Sequence, residues 1–301
     1  KMKKIGSKTG KLFGDLWKNL NKAQIEDSIN LIRTRLKINN FSENKFKNKN
    51  VLDVGCGSGR FCILASGLKA KKVIGVDISK QNINLNNKKY KKLKNLKFKY
   101  GDNLQLNFKK NSFDITISQG VIHHTIDMFK SLDELIRVTK KGGIILILIY
   151  GDHGMRWSLI KKLRPICLMI GKDKIIKYMR QKNFPENNIK HFVDDLFVSV
   201  QTQTSLGHIK EYLKNRISKI KVWSKSKTLD HEENLMSYLV EFYALKSIFS
   251  SIENKILNKL SINIINSYID EVKLIKKSNI PYKQKRLLII GEGNHRLEII
   301  K

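Results

Sequence analysis

Apolar residues recur along this chain with two different periods. Between 51 and 150 they gather in short runs at 51–55, 72–77, 96–100, 113–118 and 144–150, separated by stretches of helical length. Short buried runs alternating with helices predict an α/β fold, a doubly wound and mostly parallel sheet covered on both faces. Ahead of them, Phe13, Leu16, Trp17 and Leu20 fall at helical spacing, and Ile29, Ile32 and Leu36 form one stripe within 26–38. Residues 1–50 therefore predict two amphipathic helices, an N-terminal helical cap. Beyond 150 the pattern is mainly helical: 155–182, interrupted near Pro165 and Gly171, then 205–215, capped by Thr204 or Ser205. A long helical insertion is expected over 235–277, with Leu239, Phe242, Tyr243 and Leu245 turned inward. Residues 191–204 read as a loop or short extended piece, and 217–223 and 287–290 as the last strands. The chain thus divides into the cap (1–50), an α/β core (51–150) and a C-terminal helical elaboration carrying the last strands (151–301).

The first core strand breaks into Asp53-Val54-Gly55-Cys56-Gly57-Ser58-Gly59, followed by a helix over 61–68. Glycines let the backbone adopt conformations closed to residues with a Cβ and let a ligand approach it closely. The second strand ends on Asp77, and an acid at that tip is placed to accept hydrogen bonds from ribose hydroxyls. Dinucleotide enzymes write this loop G-x-G-x-x-G; here it is G-x-G-x-G, which disfavours a nicotinamide cofactor. In an open α/β sheet ligands bind at the carboxyl ends of the strands, where Gly55–Gly59, Asp77, Asp102 and 119–125 all fall.

Together the D-x-G-x-G-x-G loop and Asp77 resemble the class I S-adenosylmethionine-dependent methyltransferases. Gly101-Asp102, the strand at 113–118, Gly120-Val121-Ile122-His123-His124-Thr125 and Leu135–Gly143 resemble further segments of that family in order, over residues 45 to 150. Lys141 departs from it, standing where proline is usual. The resemblance implies a Rossmann-like methyltransferase fold with a seven-stranded sheet, and S-adenosyl-L-methionine as cofactor. It places Gly55, Gly57 and Gly59 close to the methionyl portion, with Asp53 anchoring that portion or the loop. Asp77 takes the ribose hydroxyls, Ile78 packs on adenine, Asp102 accepts from the adenine amine, and Gln119 flanks the methionyl end. His123 and His124 become candidate catalytic bases, since an acceptor turns nucleophilic only as its proton leaves. Asp194, Asp195 and Gln201 are candidate substrate contacts.

Composition changes this picture little. The net charge of +33 raises a nucleic-acid or anionic-membrane partner. Against it, lysine is enriched with Asn and Ile, is scattered along the chain, and far outnumbers the ten arginines. The basic first helix also suits peripheral membrane contact. No apolar run approaches the length of a transmembrane segment, and the start lacks the apolar run of a secretory leader. Three cysteines without C-x-x-C give neither a disulfide framework nor a metal site, so the cytoplasm is expected. The prolines stand at 165, 185 and 281, which excludes the N/D-P-P-Y motif of amino-methylating DNA enzymes and the Pro-Cys nucleophile of pyrimidine C5 methylation. The expected activity is methyl transfer to an O, N or C atom of a small-molecule acceptor. An RNA methyltransferase and a non-catalytic binding module stay open as alternatives.

Overall fold

The structure, a computed structural model, describes residues 2–17, 20–229 and 234–301. In chain order its first elements are α1 (Met2–Trp17), α2 (Lys22–Ile38), β1 (Asn50–Val54), α3 (Arg60–Gly67), β2 (Lys72–Asp77) and α4 (Lys80–Lys89). Next come β3 (Leu96–Tyr100), β4 (Phe113–Gln119), α5 (Met128–Val138), β5 (Thr139–Tyr150), α6 (Met155–Ile170), α7 (Lys172–Gln181) and α8 (Glu186–Phe197). The chain closes with α9 (Leu206–Leu213), β6 (Lys219–Val222), α10 (Ser226–Leu229), α11 (Leu235–Phe249), α12 (Lys255–Lys277), α13 (Tyr282–Ile290) and β7 (Asn294–Ile300). Two compact units result: Lys1–Tyr150, Ser199–Ser226 and Asn294–Lys301 in one, Gly151–Val198 and Lys227–Gly293 in the other.

The first unit holds a seven-stranded sheet of order β3-β2-β1-β4-β5-β7-β6. All neighbours are parallel except those of β7, which runs antiparallel to both β5 and β6. Side chains alternate between the two faces, as a strand requires. Val51, Ile115 and Leu146 pack with α2 and α3 on one side, while Leu52, Ile145 and Ile147 pack with α5 and α9 on the other. Both faces are therefore covered, which is why the strands read as nearly continuous apolar runs. The strand order reverses between β1 and β4, opening a crevice at their carboxyl ends.

Helix α1 packs through a column of glycines as well as through Phe13 of the expected apolar stripe, whose ring meets that of His124; the Trp17 side chain lies outside the described residues. A Cβ at Gly6 or Gly10 would lie 2.9 or 3.1 Å from Ile78, and one at Gly14 2.7 Å from Ser79 Oγ. The column at 6, 10 and 14 thus brings the α1 backbone against the loop after β2. Residues 18–19 of the first expected helix lie outside the described residues, and Leu20 falls beyond α1.

The second unit is helical. Leu163, Ile175, Phe242, Leu245 and Ile265 are fully buried in it. At its centre Arg156 pairs with Asp195 at 2.6 Å and with Glu241 at 2.8 Å. Four expectations are corrected here. Residues 191–197 belong to α8, with Ile189, Phe192, Val193 and Leu196 forming its buried face. Pro165 lies inside α6 without ending it, and Gly171 separates α6 from α7. Tyr243 is 43% exposed, whereas Leu239, Phe242 and Leu245 are buried. Residues 287–290 end a helix, and the last strand is β7, beyond Gly291 and Gly293 at φ +76° and +70°. Among the described residues no helix is long and apolar enough to cross a membrane.

Candidate cofactor and acceptor site

The site is built on the carboxyl ends of β1, β2 and β4. β1 delivers Asp53 into the interior, 4% exposed, with the Cys62 thiol donating to its Oδ2 at 3.4 Å. Burial pushes the Asp53 carboxyl up to about 7, against the opposing pull of the Cys62 thiol and the Arg60 charge. The loop after β1 turns on Gly55, Gly57 and Gly59, at φ +76°, +50° and +79°. At Gly55 a Cβ would also stand 2.3 Å from Val121, so both conformation and space demand glycine there. The amides of Gly55 and Cys56 donate to the Val76 carbonyl at 2.7 and 2.9 Å, tying the loop to the end of β2.

Asp77 completes that link. Its Oδ2 accepts from the Gly57 amide and its Oδ1 from the Ser79 amide, each at 2.8 Å. Burial raises its carboxyl above the usual range, and the two amides pull the other way. The carboxylate is thereby fixed in orientation, and each oxygen keeps lone-pair capacity for another donor. Ile78 follows it under the glycine column of α1. Asp102 sits one strand further out, exposed, its Oδ1 accepting from the Leu104 amide at 2.9 Å. Gly101 donates to the Asp77 carbonyl at 3.1 Å, which brings Asp102 to the same edge as Asp77.

On the other side of the crevice, Gln119 ends β4, and its Oε1 accepts from Arg296 Nη1 at 3.3 Å. The following turn carries both histidines. His123 is fully buried and stacked on Tyr150, ring centroids 3.9 Å apart. Burial, and then the neighbouring His124, hold it well below the ordinary histidine range. His124 meets the Val200 carbonyl through Nδ1 at 3.1 Å, and its ring lies 5.2 Å from that of Phe13 on α1. Gln201 therefore stands beside the histidine turn, on a segment also held by the Thr202 amide donating to the His123 carbonyl at 2.8 Å. Asp194 and Asp195 lie instead on α8 of the second unit, with Asp195 bound to Arg156.

Asp53, Gly55 and Gln119 share a pocket of about 190 Å3 with Arg35, Arg60 and Arg296. The sequence reading missed these arginines. Arg60 was in view, directly after Gly59, whereas Arg35 and Arg296 come from α2 and from a strand placed elsewhere by its sequence pattern.

Residues 45–184 match the family model of a methyltransferase domain. Over 108 residues the chain is 38% identical to a demethylmenaquinone methyltransferase of Bacteroides fragilis, covering 34% of this chain and 44% of that relative. Over 105 residues it is 34% identical to a demethylmenaquinone methyltransferase of Staphylococcus aureus, covering 34% and 43%. The matched stretch spans less than half the length of either relative. In fold, the chain superposes on a Galdieria sulphuraria protein described as a candidate sarcosine dimethylglycine methyltransferase. The TM-score is 0.50, over 98% of each chain at 15% identity. The match to a methyltransferase domain falls on the stretch that carries the glycine loop and strands β1 to β5 of the sheet.

Proposed function

We propose that this chain binds S-adenosylmethionine and moves its methyl group to an O, N or C atom of a small-molecule acceptor. The observation that carries this reading is the carboxylate of Asp77, braced by two amides beside a loop of three left-handed glycines. Such a carboxylate suits two ribose hydroxyls, and such a loop leaves its backbone open to close approach. Ile78 offers apolar surface to adenine, and Asp102 has an oxygen left for the adenine amine once Oδ1 has bonded Leu104. Asp53 and Gln119 face the methionyl end together with Gly55. The names of the curated relatives support a small acceptor, since demethylmenaquinone is one.

Bound S-adenosylmethionine supplies a methyl group on a sulfonium whose departure leaves a neutral thioether, so no general acid is required. The work of the chain is positioning and removal of the acceptor's proton. His123 is buried and kept neutral, so in this reading His124 takes the acceptor's proton. A ring that donates from Nδ1 to the Val200 carbonyl carries its basic lone pair on Nε2. Gln201, next to Val200, is the candidate acceptor contact this geometry favours; Asp195 is engaged by Arg156.

Incubation with methyl-labelled S-adenosylmethionine and a small-molecule extract tests the reading. Label in a low-mass product supports it. Label confined to RNA, or no transfer at all, overturns it.

A further inference from the structure

The second unit is the smaller of the two, yet among the described residues it carries eleven of the fourteen large apolar side chains left exposed. Scattered singly such residues need no explanation; gathered on one element they do. Helix α13 is that element. It ends on the run Leu287-Leu288-Ile289-Ile290, and four consecutive residues spaced by about 100° surround a helix with apolar surface. Ile289 and Ile290 are buried in the unit, whereas Leu287 and Leu288 are 52% and 50% exposed, on the same face as Lys283 and Gln284 one turn earlier. A helix that is apolar all round is ordinarily covered on every side. The fold covers α13 on one.

The charge around these leucines selects what covers them. From 274 to 288 the chain carries Lys276, Lys277, Lys283, Lys285 and Arg286 and no acid. The partners recorded for these cations are neutral: Lys285 donates to the Lys276 carbonyl at 2.7 Å, and Lys276 lies against the Met236 sulfur. Met236 is the first of three exposed residues, with Val240 and Tyr243, at helical spacing on α11, so a second apolar strip adjoins the basic one. Leu274, 70% exposed, adds to it from the end of α12. A second copy of the chain would set these cations against their like, and a nucleic acid offers leucine nothing apolar to enter. The interface of a bilayer bearing anionic lipid accepts both, leucines at the acyl boundary and ammoniums at the headgroups.

We propose that α13 and the end of α12 form a docking surface for an anionic lipid bilayer, with Leu287 and Leu288 entering the headgroup–acyl boundary and Lys277 and Lys283 meeting the headgroups. The contact is peripheral, made by a helix lying on the surface rather than crossing it. It stands apart from the methyltransferase reading, because none of these residues belongs to the unit that carries the glycine loop and Asp77.

Sedimentation of the full chain with vesicles of phosphatidylcholine, and of phosphatidylcholine mixed with phosphatidylglycerol, tests this. Partitioning onto the mixed vesicles is expected to exceed that onto the neutral ones by at least about tenfold. The net charge of +33 by itself attracts anionic vesicles, so the leucines decide between a built surface and bulk charge. Leu287→Gln combined with Leu288→Gln should lower partitioning onto mixed vesicles by at least about tenfold, and Lys277→Gln combined with Lys283→Gln by a similar factor. Lys91→Gln combined with Lys94→Gln, in the first unit, should change it by less than about twofold. All six residues are exposed, so native circular dichroism is expected throughout. No binding to mixed vesicles, or equal binding to both kinds, overturns the proposal. So does a leucine variant that partitions like wild type, which would leave bulk charge as the cause. A lipid-free dimer that the leucine variant abolishes would make this face an interface between copies and overturn it too.

Discussion

The backbone amide of Gly57 donates to Oδ2 of Asp77 at 2.8 Å, so the loop after β1 and the acid at the tip of β2 form one bonded unit. Neither is positioned without the other. The loop can reach Asp77 only because it turns through left-handed conformations at Gly55, Gly57 and Gly59. The Ser79 amide on the other oxygen then leaves the carboxylate a single orientation.

Gly55→Ala should break that unit. The left-handed backbone costs an alanine about 1–2 kcal/mol, and a methyl group 2.3 Å from Val121 adds about 1–3 kcal/mol of overpacking. Denaturant unfolding of Gly55→Ala, Val121→Ala and the double variant checks this. The double variant is expected to recover the overpacking part but not the backbone part. Strict additivity of the two single losses would contradict the contact.

Asp53 predicts a dependence of stability on pH. Its carboxyl lies near 7 in the folded protein against 3.8 ordinarily, so between these values the folded state holds a proton that the unfolded state has released. The associated stability is fully present below about pH 4 and declines as pH rises to about 7, by at most about 4 kcal/mol. Asp53→Asn should flatten this fall. Parallel stability profiles for wild type and variant between those limits would show that burial does not hold the proton.

The ion pairs around Arg156 bear on Asp195. Removing one partner of a buried pair costs about 3–5 kcal/mol, so Asp195→Asn should lower the unfolding free energy on that scale. An unchanged melting temperature with altered acceptor turnover would instead make Asp195 a substrate contact.

His124 should carry the pH dependence of turnover. At saturating cofactor, His124→Gln is expected to lower the rate about 100-fold or more and to remove the limb that rises toward neutral pH. His123→Gln should keep the limb, because that ring is buried and neutral. Wild-type profiles in both variants would leave methyl transfer to positioning alone.

Much of the first unit was legible in the sequence, because strands buried on both faces write short apolar runs and the glycine loop follows the first of them. The last strand was not. Its buried positions include His295 and Glu298, and Glu298 is held inside by Lys45 at 2.9 Å, so polar letters stood where the core lies. Leu287–Ile290 offered a more apolar run that is the end of a helix begun after Pro281. In α8, the buried residues at 189, 192, 193 and 196 have helical spacing, visible only when the window starts at Glu186 rather than at His191. Within the site, Asp53, Asp77 and the glycines were readable from local spacing. Arg35 and Arg296 were not, because only the folded chain brings α2 and β7 to the same pocket.

The most direct test of the cofactor site is calorimetric titration of S-adenosylmethionine into wild type and folded Asp77→Ala. Loss of two charge-assisted hydrogen bonds, each worth about 1.5–3 kcal/mol, predicts affinity reduced by about 100-fold or more. Unchanged affinity in a variant with native circular dichroism would contradict the assignment of Asp77 to the ribose, and with it the cofactor site described around it.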